Sequence, residues 1–114
     1  NNSSVDGLRG YPLSGGAAYS AAKHGVLGLT RSAALEHAMD GIRITAICPG
    51  WVGTPPVENF IRKNAQIGAQ ILRQEPIGRL GTTDEVANGV LWLCSDAASF
   101  MLGSPLILDG GYMA

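Results

Sequence analysis

The sequence predicts an α/β fold, and more narrowly the C-terminal half of a doubly wound parallel sheet. Three observations carry this. Apolar residues recur at helical spacing over 17–39 and again over 83–95. Two short apolar runs, Ile42–Cys48 and Pro105–Asp109, have the length and flanking glycines of buried strands. The two kinds of segment alternate along the chain, as they do where helices cross between parallel strands.

Asn1 to Val5 reads as the tail of a strand. Asp6-Gly7 and Arg9-Gly10-Tyr11-Pro12 are turn signals, and Ser14 is a possible N-cap for the helix Ala17–Met39. That helix carries Ala22, Val26, Leu29, Ala33 and Ala34 at helical spacing and should end at Asp40-Gly41, with Gly41 as its left-handed cap. The strand Ile42–Cys48 stops at Pro49-Gly50, and Trp51–Pro56 is a loop. From Val57 to Glu75 the helical pattern is weaker and Gly68 interrupts it, so one or two short, mobile helices are expected. Thr82 and Glu85 have the spacing of a capping box, opening a helix from about Thr83 to Ser95. Two complete strands leave much apolar surface uncovered, so the chain reads as the second half of a larger fold.

Composition narrows the function classes. The 114 residues are 46% apolar and 15% charged, which is a globular balance. A formal net charge of −1 with no basic block argues against nucleic acid or an anionic membrane as partner. No apolar run approaches the ~20 residues of a membrane span, and Asn1-Asn2-Ser3-Ser4 has neither region of a signal peptide. Cys48 and Cys94 lack metal-ligand spacing and read as buried, reduced thiols of a cytoplasmic protein. His24 and His37 show no ligand pattern and read as ordinary helix residues, so no metal is expected.

The chemistry centres on Tyr19-Ser20-Ala21-Ala22-Lys23. On a helix, residues i and i+4 lie on one face, one turn apart, so the phenol and the ammonium reach the same small volume. A fixed positive charge favours the phenolate, which brings a phenol into the range of acid–base work.

Four stretches, in order and spacing, resemble the short-chain dehydrogenase/reductase family. They are Asn2-Ser3-Ser4-Val5-Asp6-Gly7, Tyr19-Ser20-Ala21-Ala22-Lys23, Pro49-Gly50-Trp51-Val52-Gly53-Thr54, and Arg79-Leu80-Gly81 with the later Leu108-Asp109-Gly110-Gly111. The resemblance covers the whole chain and implies the catalytic half of a compact, Rossmann-like, single-domain member. It implies hydride transfer between NAD or NADP and a secondary alcohol or ketone. Ser4 would hydrogen-bond the substrate oxygen, with Ser3 the alternative hydroxyl. Tyr19 would be the general acid or base, and Lys23 would favour its phenolate and hold the nicotinamide ribose. The backbone of Pro49, Gly50 and Val52 and the hydroxyl of Thr54 would position the nicotinamide carboxamide. Trp51 and the segment 57–75 would line the substrate pocket.

The chain departs from the family pattern in two ways. Ser4 and Tyr19 stand two residues further apart than is commonest, the extra length falling between Tyr11 and Gly16. The Gly-rich phosphate-binding turn, the residues that choose NAD or NADP, and the relay asparagine have no counterpart here; Gly7 and Gly10 do not lie between a strand and a helix. The 114 residues alone are therefore expected to be inactive without an N-terminal half supplied elsewhere. A catalytically silent fragment acting only by association is the alternative. The small residues of the first helix and the apolar C-terminal strand lead to the expectation of a homo-oligomer, a dimer or tetramer.

Overall fold

The computed structural model describes residues 1–11 and 15–114, so the possible cap Ser14 lies outside the described residues. In chain order it contains a 3-10 turn (Val5–Gly7), helix α1 (Ala17–Glu36), a 3-10 turn (Ala38–Asp40) and strand β1 (Ala46–Pro49). Helices α2 (Pro55–Lys63), α3 (Ala65–Gln74) and α4 (Thr83–Cys94) follow, then a 3-10 turn (Asp96–Ala98) and strand β2 (Pro105–Leu108).

β1 and β2 pair in parallel, with Ala46 opposite Pro105 and Pro49 opposite Leu108. The other edge of β1 takes the N-terminal residues. Asn2 bridges Ile47 in parallel; the Ser3 N–H donates to the Ile47 carbonyl at 2.9 Å, and the Ile47 N–H donates to that of Asn1 at 3.0 Å. The opening residues thus pair with β1 through one parallel bridge, and β1 has a parallel neighbour on each edge. This is the α/β arrangement expected from the sequence, and β1 is correspondingly buried on both faces.

The core forms where α1 crosses β1. Leu27 packs with Ala46 and Cys48, and Leu8 closes over them. Thr30 is fully buried, and its hydroxyl is satisfied twice: it donates to the Val26 carbonyl at 2.7 Å and accepts from the Asn1 amide at 2.9 Å.

Several boundaries differ from those expected. β1 begins at Ala46, because Arg43 turns the preceding residues toward α4. Its guanidinium donates to the carbonyls of Leu93, Ser95 and Ala98 at 2.9–3.1 Å, closing the C-terminal end of that helix. α1 ends at Glu36 rather than Met39, and the chain tightens into the 3-10 turn that Gly41 closes in the left-handed region. His37 is therefore a cap residue, paired with Asp40 at 2.9 Å. Cys48 is buried as expected, but Cys94 is exposed at the end of α4. The segment 57–75 forms two helices whose break is at Asn64, not Gly68. Gly68 is buried inside α3, where an added Cβ would stand 2.5 Å from the Ile61 Cγ2; the glycine lets α3 approach α2.

The capping box of α4 is complete. The Glu85 N–H donates to the Thr82 Oγ1 at 3.1 Å and the Thr82 N–H to the Glu85 Oε2 at 2.7 Å. Arg79 adds two hydrogen bonds to the same carboxylate, at 2.9 and 2.7 Å, and these, with the Thr82 N–H, hold the Glu85 carboxyl down at about 2. Replacing Thr82 by alanine should lower stability by about 1 kcal/mol in urea denaturation, the usual cost of losing a threonine cap. An unchanged midpoint would show that the box contributes nothing.

Candidate active site

A cleft of about 680 Å³ opens beyond the carboxyl ends of β1 and the segment bridged to it at Asn2, where ligands bind in open parallel sheets. Its walls come from the Val5–Gly7 turn, the first turns of α1, the loop after β1, and the first turn of α4.

Two hydrogen bonds fix α1 against the N-terminal segment. The Ser3 hydroxyl donates to the Lys23 carbonyl at 2.8 Å, and the Ser20 hydroxyl donates to the Asp6 carbonyl at 3.1 Å. Gly7 makes the approach possible: an added Cβ would lie 2.5 Å from the Ser3 Oγ and 2.7 Å from the Lys23 carbonyl oxygen. With α1 held there, Ser4, Tyr19 and Lys23 all line the same cleft. The Lys23 ammonium stands 5.5 Å from the centre of the Tyr19 ring and donates to the Asn2 carbonyl at 3.2 Å. The Tyr19 ring meets Tyr11 edge-on, with centres 5.7 Å apart, and is 44% exposed.

The two serines are separable by their bonds. Ser3 spends its only proton on the α1 backbone. Ser4 caps the Val5–Gly7 turn as an acceptor, from the Asp6 N–H at 3.2 Å. Its own proton reaches only the Asp6 Oδ2 at 3.5 Å, too long for a firm hydrogen bond and readily exchanged for a better acceptor.

The loop after β1 is tied down at several points. Gly50 donates to the Leu108 carbonyl at 2.9 Å, Gly53 to that of Gly81 at 2.8 Å, and Gly81 to that of Trp51 at 2.9 Å. Pro49, Gly50, Val52 and Thr54 line the cleft. Thr54 occupies the N-cap of α2 in extended backbone, yet its hydroxyl makes no capping bond and remains available to the cleft. Trp51 also lines it, but of the segment 57–75 only Val57 does so among the described residues; α3 packs on α2 instead.

A family model described as enoyl-(acyl carrier protein) reductase matches residues 1–113. The chain is 46% identical over 112 residues to a cyclohexanol dehydrogenase of an Acinetobacter species, covering 98% of this chain and 41% of the relative. Among solved structures it resembles a Burkholderia thailandensis oxidoreductase of the short-chain dehydrogenase/reductase family, with TM-score 0.85 and 39% identity. That match covers 98% of this chain and 42% of the other. It also resembles ElxO with NADP bound, with TM-score 0.87 and 39% identity over 99% of this chain and 45% of the other. The chain belongs to the short-chain dehydrogenase/reductase family. It spans less than half the length of the curated relatives it matches.

Sequence reasoning missed some cleft residues that this short-chain dehydrogenase/reductase brings together. Thr83 and Val86 come from α4, and Asp6 and Tyr11 come from what reads as simple turn sequence. No spacing rule places them; they arrive through tertiary packing. No helix among the described residues is long and apolar enough to cross a membrane.

A second cavity of about 490 Å³ lies behind the loop, and Trp51 and Val52 line both spaces. It holds Glu75, 4% exposed, whose Oε1 has no hydrogen-bond partner among the described residues. Burial pushes its carboxyl above the ordinary range; the Trp51 amide opposes this and the nearby Asp109 adds to it. A carboxyl raised on folding contributes stability that is fully present below its unfolded pKa and is lost as pH climbs through the folded value. Glu75→Gln should therefore flatten the fall in melting temperature above pH ~4 that the wild type shows from this group. Parallel profiles for the two proteins would contradict the burial cost assigned to Glu75.

Proposed function

We propose that this chain is the catalytic half of an NAD(P)-dependent oxidoreductase that interconverts a secondary alcohol and a ketone, the dinucleotide-binding half lying outside these residues. The observation that carries the reading is the meeting of Ser4, Tyr19, Lys23 and the Pro49–Thr54 loop in one cleft. The similarity to a cyclohexanol dehydrogenase and to a structure with NADP bound supports it. The donor set suits a nicotinamide: loop backbone at Pro49, Gly50 and Val52, the uncommitted Thr54 hydroxyl, and the Lys23 ammonium.

Ser4 holds the substrate oxygen through the proton it now directs weakly at Asp6. Tyr19 gives its phenolic proton to that oxygen in reduction and takes it back in oxidation. Lys23, anchored on the Asn2 carbonyl, stands beside the ring and stabilises the negative oxygen left behind. Thr54 and the loop backbone orient the carboxamide. Hydride transfer is the chemistry that the nicotinamide supplies when bound.

Association belongs to the same proposal. α1 leaves Leu29 and Leu35 mostly exposed, and α4 leaves Leu91 so. Such apolar side chains suit cover by the remaining half of the domain and by a second copy in a dimer or tetramer.

In the assembled enzyme, Tyr19→Phe should lower kcat by about 10²–10⁴-fold, because it removes the transferable proton and almost no volume. Steady-state turnover with NADH and NADPH checks this. A variant keeping a third of the wild-type kcat would remove Tyr19 from the chemistry.

A further inference from the structure

Among the described residues Asp6 is the one acidic side chain in the cleft wall, and the mechanism above does not use it. It is 8% exposed. Its backbone is fully engaged: the N–H donates to the Ser4 Oγ and the carbonyl accepts from the Ser20 hydroxyl. Its carboxyl is not. Oδ2 has only the long 3.5 Å contact with Ser4, and Oδ1 has no hydrogen-bond partner among the described residues. An acid placed merely to support a turn would accept backbone N–H groups, and this carboxyl accepts none among the described residues. Arg9 does not neutralise it by contact; its guanidinium lies over the Tyr112 ring at 4.4 Å and donates to the Tyr112 hydroxyl at 3.0 Å. Burial accordingly pushes the Asp6 carboxyl above the ordinary range, with Arg9 and Ser4 opposing. A buried oxygen without a partner is costly, and such a group in a cleft wall is accounted for when a ligand completes it.

We infer that Asp6 is a specificity-determining residue of this cleft, accepting a hydroxyl on the substrate carbon next to the reacting one. The inference rests on the alcohol/ketone reading of the site. The distance sets the substrate class. Ser4 holds the reacting oxygen, and the Asp6 carboxyl begins 3.5 Å from the Ser4 Oγ. A donor and an acceptor that close match two oxygens on neighbouring carbons, so the preferred substrate is a vicinal diol or its α-hydroxy ketone. Discrimination follows the usual asymmetry: a site built to bind a hydroxyl rejects the analogue that leaves its buried acceptor unpaired.

The test compares kcat/KM for cis-cyclohexane-1,2-diol and for cyclohexanol in the assembled enzyme at saturating cofactor. Wild type should favour the diol by at least about tenfold. Asp6→Ala should lose at least about tenfold on the diol while changing cyclohexanol by less than about threefold. Asp6→Asn keeps the size and turn preference and should fall between them; it decides the matter with the wild-type ratio if the alanine variant fails to fold. Equal losses on both alcohols would mark Asp6 as structural and overturn the inference. A wild type that oxidises both alcohols equally well would overturn it while leaving the proposed function standing. A wild type that oxidises neither would defeat the underlying reading and the inference with it.

Discussion

The site depends on how closely α1 lies against the N-terminal segment. Tyr19 and Lys23 come from one element and Ser4 from another, and nothing local relates them. The relation is made by Gly7, whose missing side chain leaves room for the Lys23 carbonyl, and by the Ser3 hydroxyl, which fills that carbonyl's second bonding position. Ser20 adds the same kind of bond one turn earlier. Each bond is modest alone, about 1 kcal/mol. Their effect is geometric, since they set where the Ser4 hydroxyl stands relative to the Tyr19 phenol.

The opposite wall is built on the same economy. The loop after β1 has little core of its own, and backbone bonds to Leu108 and Gly81 hold it on β2 and on the turn before α4. Trp51 and Val52 then separate two spaces, one holding Ser4 and Tyr19, the other the buried Glu75. Both Asp6 and Glu75 are desolvated carboxyls, whereas Glu85, in water with Arg79 and the Thr82 amide, is held low. Asp6 and Glu75, each with one carboxyl oxygen unpaired among the described residues, line the cleft and the cavity beside it. Retaining unpaired polar groups near a site is how a fold trades stability for binding.

Much of this was legible in the residues. Period decided the helices, and the capping box placed the start of α4 correctly because Thr82 and Glu85 act within one turn. The Tyr19–Lys23 pair was legible for the same local reason. Boundaries set by tertiary partners were not. Arg43 looks like part of a strand until its guanidinium finds the carbonyls at the end of α4. Gly68 looks like a helix break until Ile61 is seen against it, and Asn64 makes the break instead. Asp6 reads as turn chemistry because α1, which packs on the Val5–Gly7 turn, meets it only in the fold.

If the close approach of α1 governs the site, Gly7→Ala is the direct test. The new Cβ would press on the Lys23 carbonyl, which is backbone and cannot swing aside. In the assembled enzyme kcat should fall at least about tenfold, as displaced catalytic groups lose their alignment, while helical circular dichroism stays unchanged. A folded Gly7→Ala enzyme with wild-type kcat would contradict the account.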